Sequence, residues 1–201
     1  MYKRQVRKRA AEPTLLICGR LAQTKGFDDA MRALGVLATR GLRPKLVVVG
    51  DGPERAHLEE IARAGGVQDQ VQWCGFLTHD QLEPHYAAAW MLVAPSVVLS
   101  NGRMDGIPNV IVEAMAAGLP VVGTRAAGLE EAVVPGQTGA LCNQRDPVSL
   151  ADALEPLLRD PAEVDRLSTM ARANVGEAFD VERNFARLWE LFEGTAKRSR
   201  P

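Results

Sequence analysis

Apolar residues in this chain fall into short unbroken runs, separated by longer stretches in which they recur every three or four positions. Thr14 to Cys18 and Lys45 to Val49 are runs of the first kind, each closed by a glycine turn, and they read as strands buried on both faces. Between them Phe27, Ala30, Met31, Leu34, Leu37 and Ala38 share one helical face and Gly41 ends the element, which makes a strand-helix-strand unit. The alternation continues. Gly50-Asp51-Gly52-Pro53 turns the chain into a helix with Pro53 near its first position and Leu58, Ile61 and Ala62 facing in. Val71 to Trp73 is a third strand closed by Gly75, and a helix over His79 to Ala89 leads to a fourth strand at Trp90 to Ala94. After a long loop, Val97 to Ile107, come a helix, a fifth strand at Val121 to Gly123 and a sixth at Thr138 to Leu141. Three helices finish the chain. One carries Leu150, Ala153, Leu154, Leu157 and Leu158, one runs from Pro161 to about Val175, and one bears the stripe Phe185, Leu188, Trp189 and Phe192.

Strands that alternate with helices this regularly imply an α/β, Rossmann-like parallel sheet with helices on both faces and right-handed crossovers. In such sheets ligands bind beyond the C-terminal ends of the strands. Four loops meet that condition: Gly19 to Gly26, Gly50 to Pro53, Gly75 to Thr78 and Val97 to Pro108. With no internal repeat and no interdomain linker, a single domain is the simplest organisation.

Composition narrows the function. The 201 residues are 46% hydrophobic and 24% charged with a net charge of −1, which argues against a nucleic-acid partner, since that needs a strong basic surplus on one face. The basic clusters are terminal: Lys3, Arg4, Arg7, Lys8 and Arg9 at one end, Lys197, Arg198 and Arg200 at the other. Residues 1–12 read as a disordered basic tail or the scar of a truncation, and 194–201 as a second solvated tail; attraction to the inner face of a membrane is the alternative. No apolar run reaches the roughly 18 residues of a membrane span and no signal-peptide core is present. Cys18, Cys74 and Cys142 are an odd number at wide spacing, so they suggest neither disulfides nor a metal site, and a reducing cytoplasm is expected. His57, His79 and His85 show no ligand spacing either and read as surface or helix-packing histidines.

The densest chemistry lies in Asp105-Gly106-Ile107-Pro108-Asn109 and the residues after it. Gly106 lets the chain turn, Pro108 pre-sets a helical φ and Asn109 can accept an N-terminal amide, so a helix should begin here and run to Ala117, stopped by Gly118 and Pro120. Glu113 then lies about one turn inside and Asp105 on the preceding loop. A helix start presents unpaired N–H groups and a partial positive charge to an anion. Arg20 and Lys25, on the loop after the first strand, would make a clamp for a diphosphate. Glu113 could accept hydrogen bonds from vicinal ribose hydroxyls, as acids do in dinucleotide sites. Asp105 reads two ways: a carboxylate beside a sugar's anomeric carbon, or a turn acid. Gly19 is followed by Arg20-Leu21 rather than G-x-G-x-x-G, and no P-loop, G-x-S-x-G elbow or zinc pattern is present.

Taken together, Gly19-Arg20-Leu21 with Lys25-Gly26, Gly50-Asp51-Gly52-Pro53, Val71-x-Trp73-x-Gly75, Pro95-Ser96, Asp105-Gly106-x-Pro108-Asn109 with Glu113-Ala114-Met115, Gly128-x-x-Glu131 and Thr138-Gly139 resemble family-4 retaining glycosyltransferases. The likeness is to the C-terminal, donor-binding half of the GT-B fold and runs from about Thr14 to Phe192; it makes 13–193 the donor domain with a terminal crossover helix. It implies transfer of a sugar from a nucleotide-diphosphate sugar to an acceptor with retention of configuration, with no metal or other cofactor. Arg20 and Lys25 would hold the diphosphate and stabilise the leaving group. Gly106, Ile107, Pro108 and Asn109 would offer backbone to the phosphate or sugar, Glu113 would hold the ribose, and Gly75-Phe76 would lie by the base. Gly19 and Gly52 belong to the same donor-binding set. Asp105 matches the first acid of the family's E-x7-E pattern, but is Asp where Glu is commonest and so reaches one methylene less.

The loop Ser100 to Met104 resembles members that build exopolysaccharide or colanic-acid-type chains. The resemblance also implies an acceptor-binding N-terminal half that this chain lacks, and the Phe185 stripe is read either as a dock for that half or as packing on its own domain. Readings of another class are a non-catalytic nucleotide- or protein-binding module of the same fold, and a GT-B-fold epimerase or phosphorylase.

Overall fold

The computed structural model describes residues 8–126 and 128–198. Its sheet is built from β1 (Thr14–Cys18), β2 (Lys45–Val49), β3 (Val71–Gly75), β4 (Met91–Ala94), β5 (Val121–Thr124) and β6 (Gly139–Cys142). All five pairings are parallel and the order is β3-β2-β1-β4-β5-β6. The order reverses between β1 and β4: the strands that follow them, β2 and β5, lie on opposite sides of this central pair. Such a switch point opens a crevice at the C-terminal rim.

The helices are α1 (Phe27–Thr39), α2 (Arg55–Ala64), α3 (His79–Ala88), α4 (Asn109–Ala116), α5 (Leu129–Ala132), α6 (Pro147–Arg159), α7 (Pro161–Ala178) and α8 (Val181–Arg198). Because successive strand residues point to opposite faces, Leu15 and Ile17 join one core with Leu34 of α1, Leu58 of α2 and Leu154 of α6. Leu16, between them, joins a second core with Tyr86 of α3, Ile111 and Met115 of α4 and Ala171 of α7. Both faces are covered, so the expected Rossmann-like α/β fold is what forms. The short helix α5 was not legible from hydrophobic period, since four residues make barely one turn. Pro53 precedes the second helix rather than opening it, because that helix begins at Arg55.

The N-terminal segment departs from the reading as a disordered tail, since Arg9 to Glu12 are held on the body. Arg9 stacks its guanidinium 4.6 Å from the ring centre of Trp90 and pairs with Asp165 at 2.8 Å, while Ala10 exchanges hydrogen bonds with the Ala88 carbonyl and the Trp90 indole N–H. Glu12 pairs with Lys45 at 2.6 Å. An aromatic face and two carboxylates thus order Arg9 to Glu12, where composition alone suggested disorder. Lys3, Arg4 and Arg7 lie outside the described residues. At the other end α8 runs to Arg198, so the segment from 194 is helical through 198, and 199–201 lie outside the described residues. Among the described residues no helix is long and apolar enough to cross a membrane.

Glycines let the rim loops touch backbone to backbone. Gly26 has φ +60, and a Cβ there would collide with the carbonyl oxygen of Pro95, which follows β4. The hydrogen bond from Val97 N–H to the Thr24 carbonyl, 3.0 Å, completes the junction between the β1 and β4 loops.

Two outcomes follow for stability. Gly26→Ala should lower the unfolding free energy by roughly 1–3 kcal/mol through the forced left-handed φ alone, read by urea denaturation; a variant as stable as the parent would refute the close approach. Arg9→Ala should cost about 1 kcal/mol through loss of the stacked cation and shift Trp90 emission; an unchanged spectrum would show that Arg9 is not on the ring in solution.

Candidate functional site

At the β1 end, Gln23 to Lys25 form a single 3-10 turn stopped by Gly26. The turn brings Lys25 back over β1, and its Cε lies 3.4 Å from where a Gly19 Cβ would be. Gly19 thereby gives the lysine arm room. Lys25 is largely covered, at 17% side-chain exposure, and its ammonium sits 3.1 Å from Asp105 Oδ2. Arg20, on the same loop, is exposed to solvent.

The long loop after β4 has two parts. Leu99 and Arg103 close on each other through the Leu99 N–H and the Arg103 carbonyl, leaving Met104 exposed at the tip. Asp105 to Pro108 then return to the sheet. Pro108 is extended (φ −67, ψ 133) and stands before the helix as its cap residue, and Asn109 is the first helical residue. The helix start expected here is therefore found, but Asn109 does not cap it: no side chain accepts a hydrogen bond at this N-terminus. The Ile111 N–H donates to the Pro108 carbonyl at 2.9 Å, so what this helix start offers an external acceptor is its first two amides, those of Asn109 and Val110. Gly106 takes no left-handed φ, and a Cβ on it would meet open space, so nothing in the protein's own packing requires glycine there. Ile107 packs on Gly128, whose missing Cβ leaves room for the Ile107 side chain at 3.0 Å. This fifth rim loop, after β5, was not among the four counted from the sequence.

Glu113 is one turn into α4, as expected, and is partly exposed. The buried Tyr86 of α3 donates its hydroxyl to Glu113 Oε2 at 3.2 Å, and His79 Nδ1 lies 3.9 Å from the same oxygen. The start of α3 is held by a reciprocal pair between Thr78 and Gln81. Tyr86 is the residue that pattern reading missed; nothing in its spacing ties a tyrosine on one helix to a glutamate on the next. His79, read as a surface histidine, is exposed but faces a site acid.

Cys18, at the end of β1, lies between these groups. Burial pushes its thiol up to about 11 and the Glu113 carboxylate adds to the shift, while Lys25 opposes it. Cys18, Lys25, Ser96, Pro108 and Ile111 line a small cleft of about 10 Å³. Lys25, Asp105, Glu113 and the α4 N-terminus are thus brought together at the switch point. The other predicted residues are more dispersed. Gly52 serves backbone packing, since a Cβ on it would collide with the Leu21 carbonyl; Gly75 has φ +67 and turns the chain; Phe76 beside it is exposed. Among the described residues no group of three or more His, Cys, Asp or Glu is arranged to hold a metal ion.

In the α8 stripe Phe185, Leu188, Trp189 and Phe192 are all exposed, with the Phe185 and Trp189 rings stacked 6.4 Å apart.

Comparison with known proteins gives this geometry its context. Residues 12–160 match the family model described as glycosyl transferases group 1. The amylovoran biosynthesis glycosyltransferase AmsK of Erwinia amylovora is 30% identical over 90% of this chain and 45% of its own length. A glycogen synthase of Mycobacterium tuberculosis is 35% identical over 87% of this chain and 41% of its own. Among solved structures, sucrose-phosphate synthase from Thermosynechococcus elongatus superposes with a TM-score of 0.80 at 29% identity, over 96% of this chain and 47% of that one. Anabaena HepE in complex with UDP gives 0.78 at 24% identity, over 91% and 49%. The chain spans about half the length of the relatives it matches. A sheet of this order, a rim of this chemistry and a family match over most of the chain lead to one conclusion: the chain belongs to the group 1 glycosyl transferases.

Proposed function

We propose that this chain is the donor-binding half of a retaining glycosyltransferase, taking a nucleotide-diphosphate sugar and passing its sugar to an acceptor held by a second domain. The observation that carries the reading is that Lys25 and the start of α4, Pro108 to Ile111, line one cleft at the β1/β4 switch point, and that the carboxylate of Glu113 acts on the Cys18 thiol of the same cleft. A cation beside a helix start suits a diphosphate, with a ribose toward Glu113. Arg20, exposed on the adjoining loop, closes over the phosphates as the second cation, and the charge is carried by the chain's own groups without a metal. Phe76, exposed after the left-handed Gly75, offers a face to the base. HepE, with the same fold, was crystallised with UDP, which supports a nucleotide in this position.

In the transfer step the bond from the anomeric carbon to the diphosphate breaks, the acceptor hydroxyl oxygen bonds to that carbon from the same face, and the hydroxyl proton passes to the departing diphosphate oxygen. Asp105 stabilises the positive charge that develops on the sugar, and Lys25 with Arg20 stabilises the departing diphosphate. The acceptor class we assign is a growing polysaccharide, supported by the amylovoran, glycogen and colanic-acid relatives. The exposed apolar face of α8 is the surface we assign to the second domain, supported by relatives about twice as long.

Calorimetry of the 201-residue chain with UDP, GDP and ADP tests the donor half. One of the three should bind, and Glu113→Ala should weaken it by about 10- to 150-fold, the roughly 1.5–3 kcal/mol of a charge-assisted hydrogen bond. Arg20→Ala should weaken it comparably; a folded sample that binds none of the three ends the proposal. In the enzyme restored to the length of its relatives, NMR of the product should show the donor's anomeric configuration kept, and an inverted product would contradict the retaining assignment.

A further inference from the structure

The ion pair between Lys25 and Asp105 joins two groups that the proposed reaction uses separately. Lys25 is to hold the diphosphate; Asp105 is to face the sugar. In the structure they hold each other at 3.1 Å, with side chains 17% and 33% exposed. Asp105 Oδ2 is buried and, among the described residues, has no hydrogen-bond partner, so the ammonium is what compensates its charge. The lysine arm passes beside Gly19, its Cε 3.4 Å from where a Cβ there would be, to reach this partner.

We infer that Asp105 acts as a placeholder for the diphosphate: it occupies Lys25 in the empty site and competes with the leaving group for it. The inference rests on the diphosphate reading of the site and adds a direction to it. When a diphosphate takes Lys25, Asp105 loses its counter-charge. A buried carboxylate without a partner is costly, so binding is penalised unless the ligand brings something in exchange. A nucleotide sugar does so through its hydroxyls and, in the transition state, through the positive charge on the anomeric carbon. A free nucleoside diphosphate does not. After transfer the product therefore leaves both Lys25 and Asp105 poorly matched, and re-formation of the ion pair favours its departure. The short Asp side chain suits this role, because its carboxylate stays on its own loop and reaches the lysine only where the lysine already lies.

The consequence runs against the usual sign for a site residue: removing Asp105 should tighten the product-like ligands. Calorimetry with inorganic pyrophosphate, and with UDP, GDP and ADP, on the parent, Asp105→Asn, Lys25→Met and the double variant gives the test. Asp105→Asn should bind pyrophosphate and the preferred nucleotide about 1.5- to fivefold more tightly, the range of a partly exposed ion pair. Lys25→Met should weaken both, and adding Asp105→Asn to Lys25→Met should recover little. A gain of equal size in the Lys25→Met background would mean that Asp105 acts only as a general negative field, and an unchanged or weaker affinity in Asp105→Asn would mean that the pair does not compete with ligand; either overturns the inference. Binding by the parent that depends on Lys25 but not on Asp105 leaves the donor site standing and removes only the placeholder. No binding of any anion to the folded parent removes both.

Discussion

The site depends on backbone touching backbone at the centre of the sheet. β1 is paired on both sides, and the loops that leave it and its neighbours are pressed together so closely that side chains are excluded at several places. A Cβ on Gly50 would meet the Gly19 carbonyl, one on Gly52 the Leu21 carbonyl and one on Gly26 the Pro95 carbonyl. Close packing of this kind transmits position: the 3-10 turn carrying Lys25 cannot shift without moving the segment after β4 that leads to Asp105. The buried hydrogen bond from Thr124 to the Ser96 carbonyl extends the same tie to β5. Precision at the cleft is thus a property of the sheet's loops rather than of the charged side chains, which are individually long and mobile in type.

Electrostatics then acts on a frame already in place. Around Cys18, Lys25 and the start of α4 contribute positive potential, and Glu113 and the Asp105 paired with Lys25 contribute negative potential. Opposite charges in so small a space largely cancel at a distance, so a cation and a helix start at the cleft are compatible with a chain of net charge −1. A ligand that is itself dipolar, with phosphates at one end and hydroxyls at the other, matches such an arrangement better than a simple anion does.

Much of the fold was legible because period and turn chemistry agreed. The runs at Thr14 to Cys18 and Lys45 to Val49 became strands without change of boundary, since glycine turns and helical stripes bracket them. The helix at Asn109 was legible from the Asp105 to Asn109 chemistry, although its cap was not: Pro108 with an extended ψ fills that place, which composition cannot distinguish from a proline already inside the helix. What the sequence hid was of two kinds. Tyr86 reaches Glu113 from another helix, and the Lys25 pair with Asp105 joins residues eighty positions apart; both depend on how far helices and loops converge, which no local pattern encodes. Arg9 is the opposite case. Its basic surroundings looked like a tail, and only the position of Trp90 under it makes it part of the body.

The reversal of strand order also has a consequence for how the molecule comes into being. β1 finds β2 through one crossover, but its other neighbour, β4, is made only after β2, β3 and three helices. Until then β1 is a bare parallel edge with unpaired amides, the kind of surface that invites mispairing, and the pairing that covers it is among the less local in the chain. The arrival of β4 closes that edge and, through the loop after it, completes the cleft. Protection of the half-made sheet and completion of the cleft are therefore the same event in assembly, so a chain stalled before it would be both sticky and without a formed cleft.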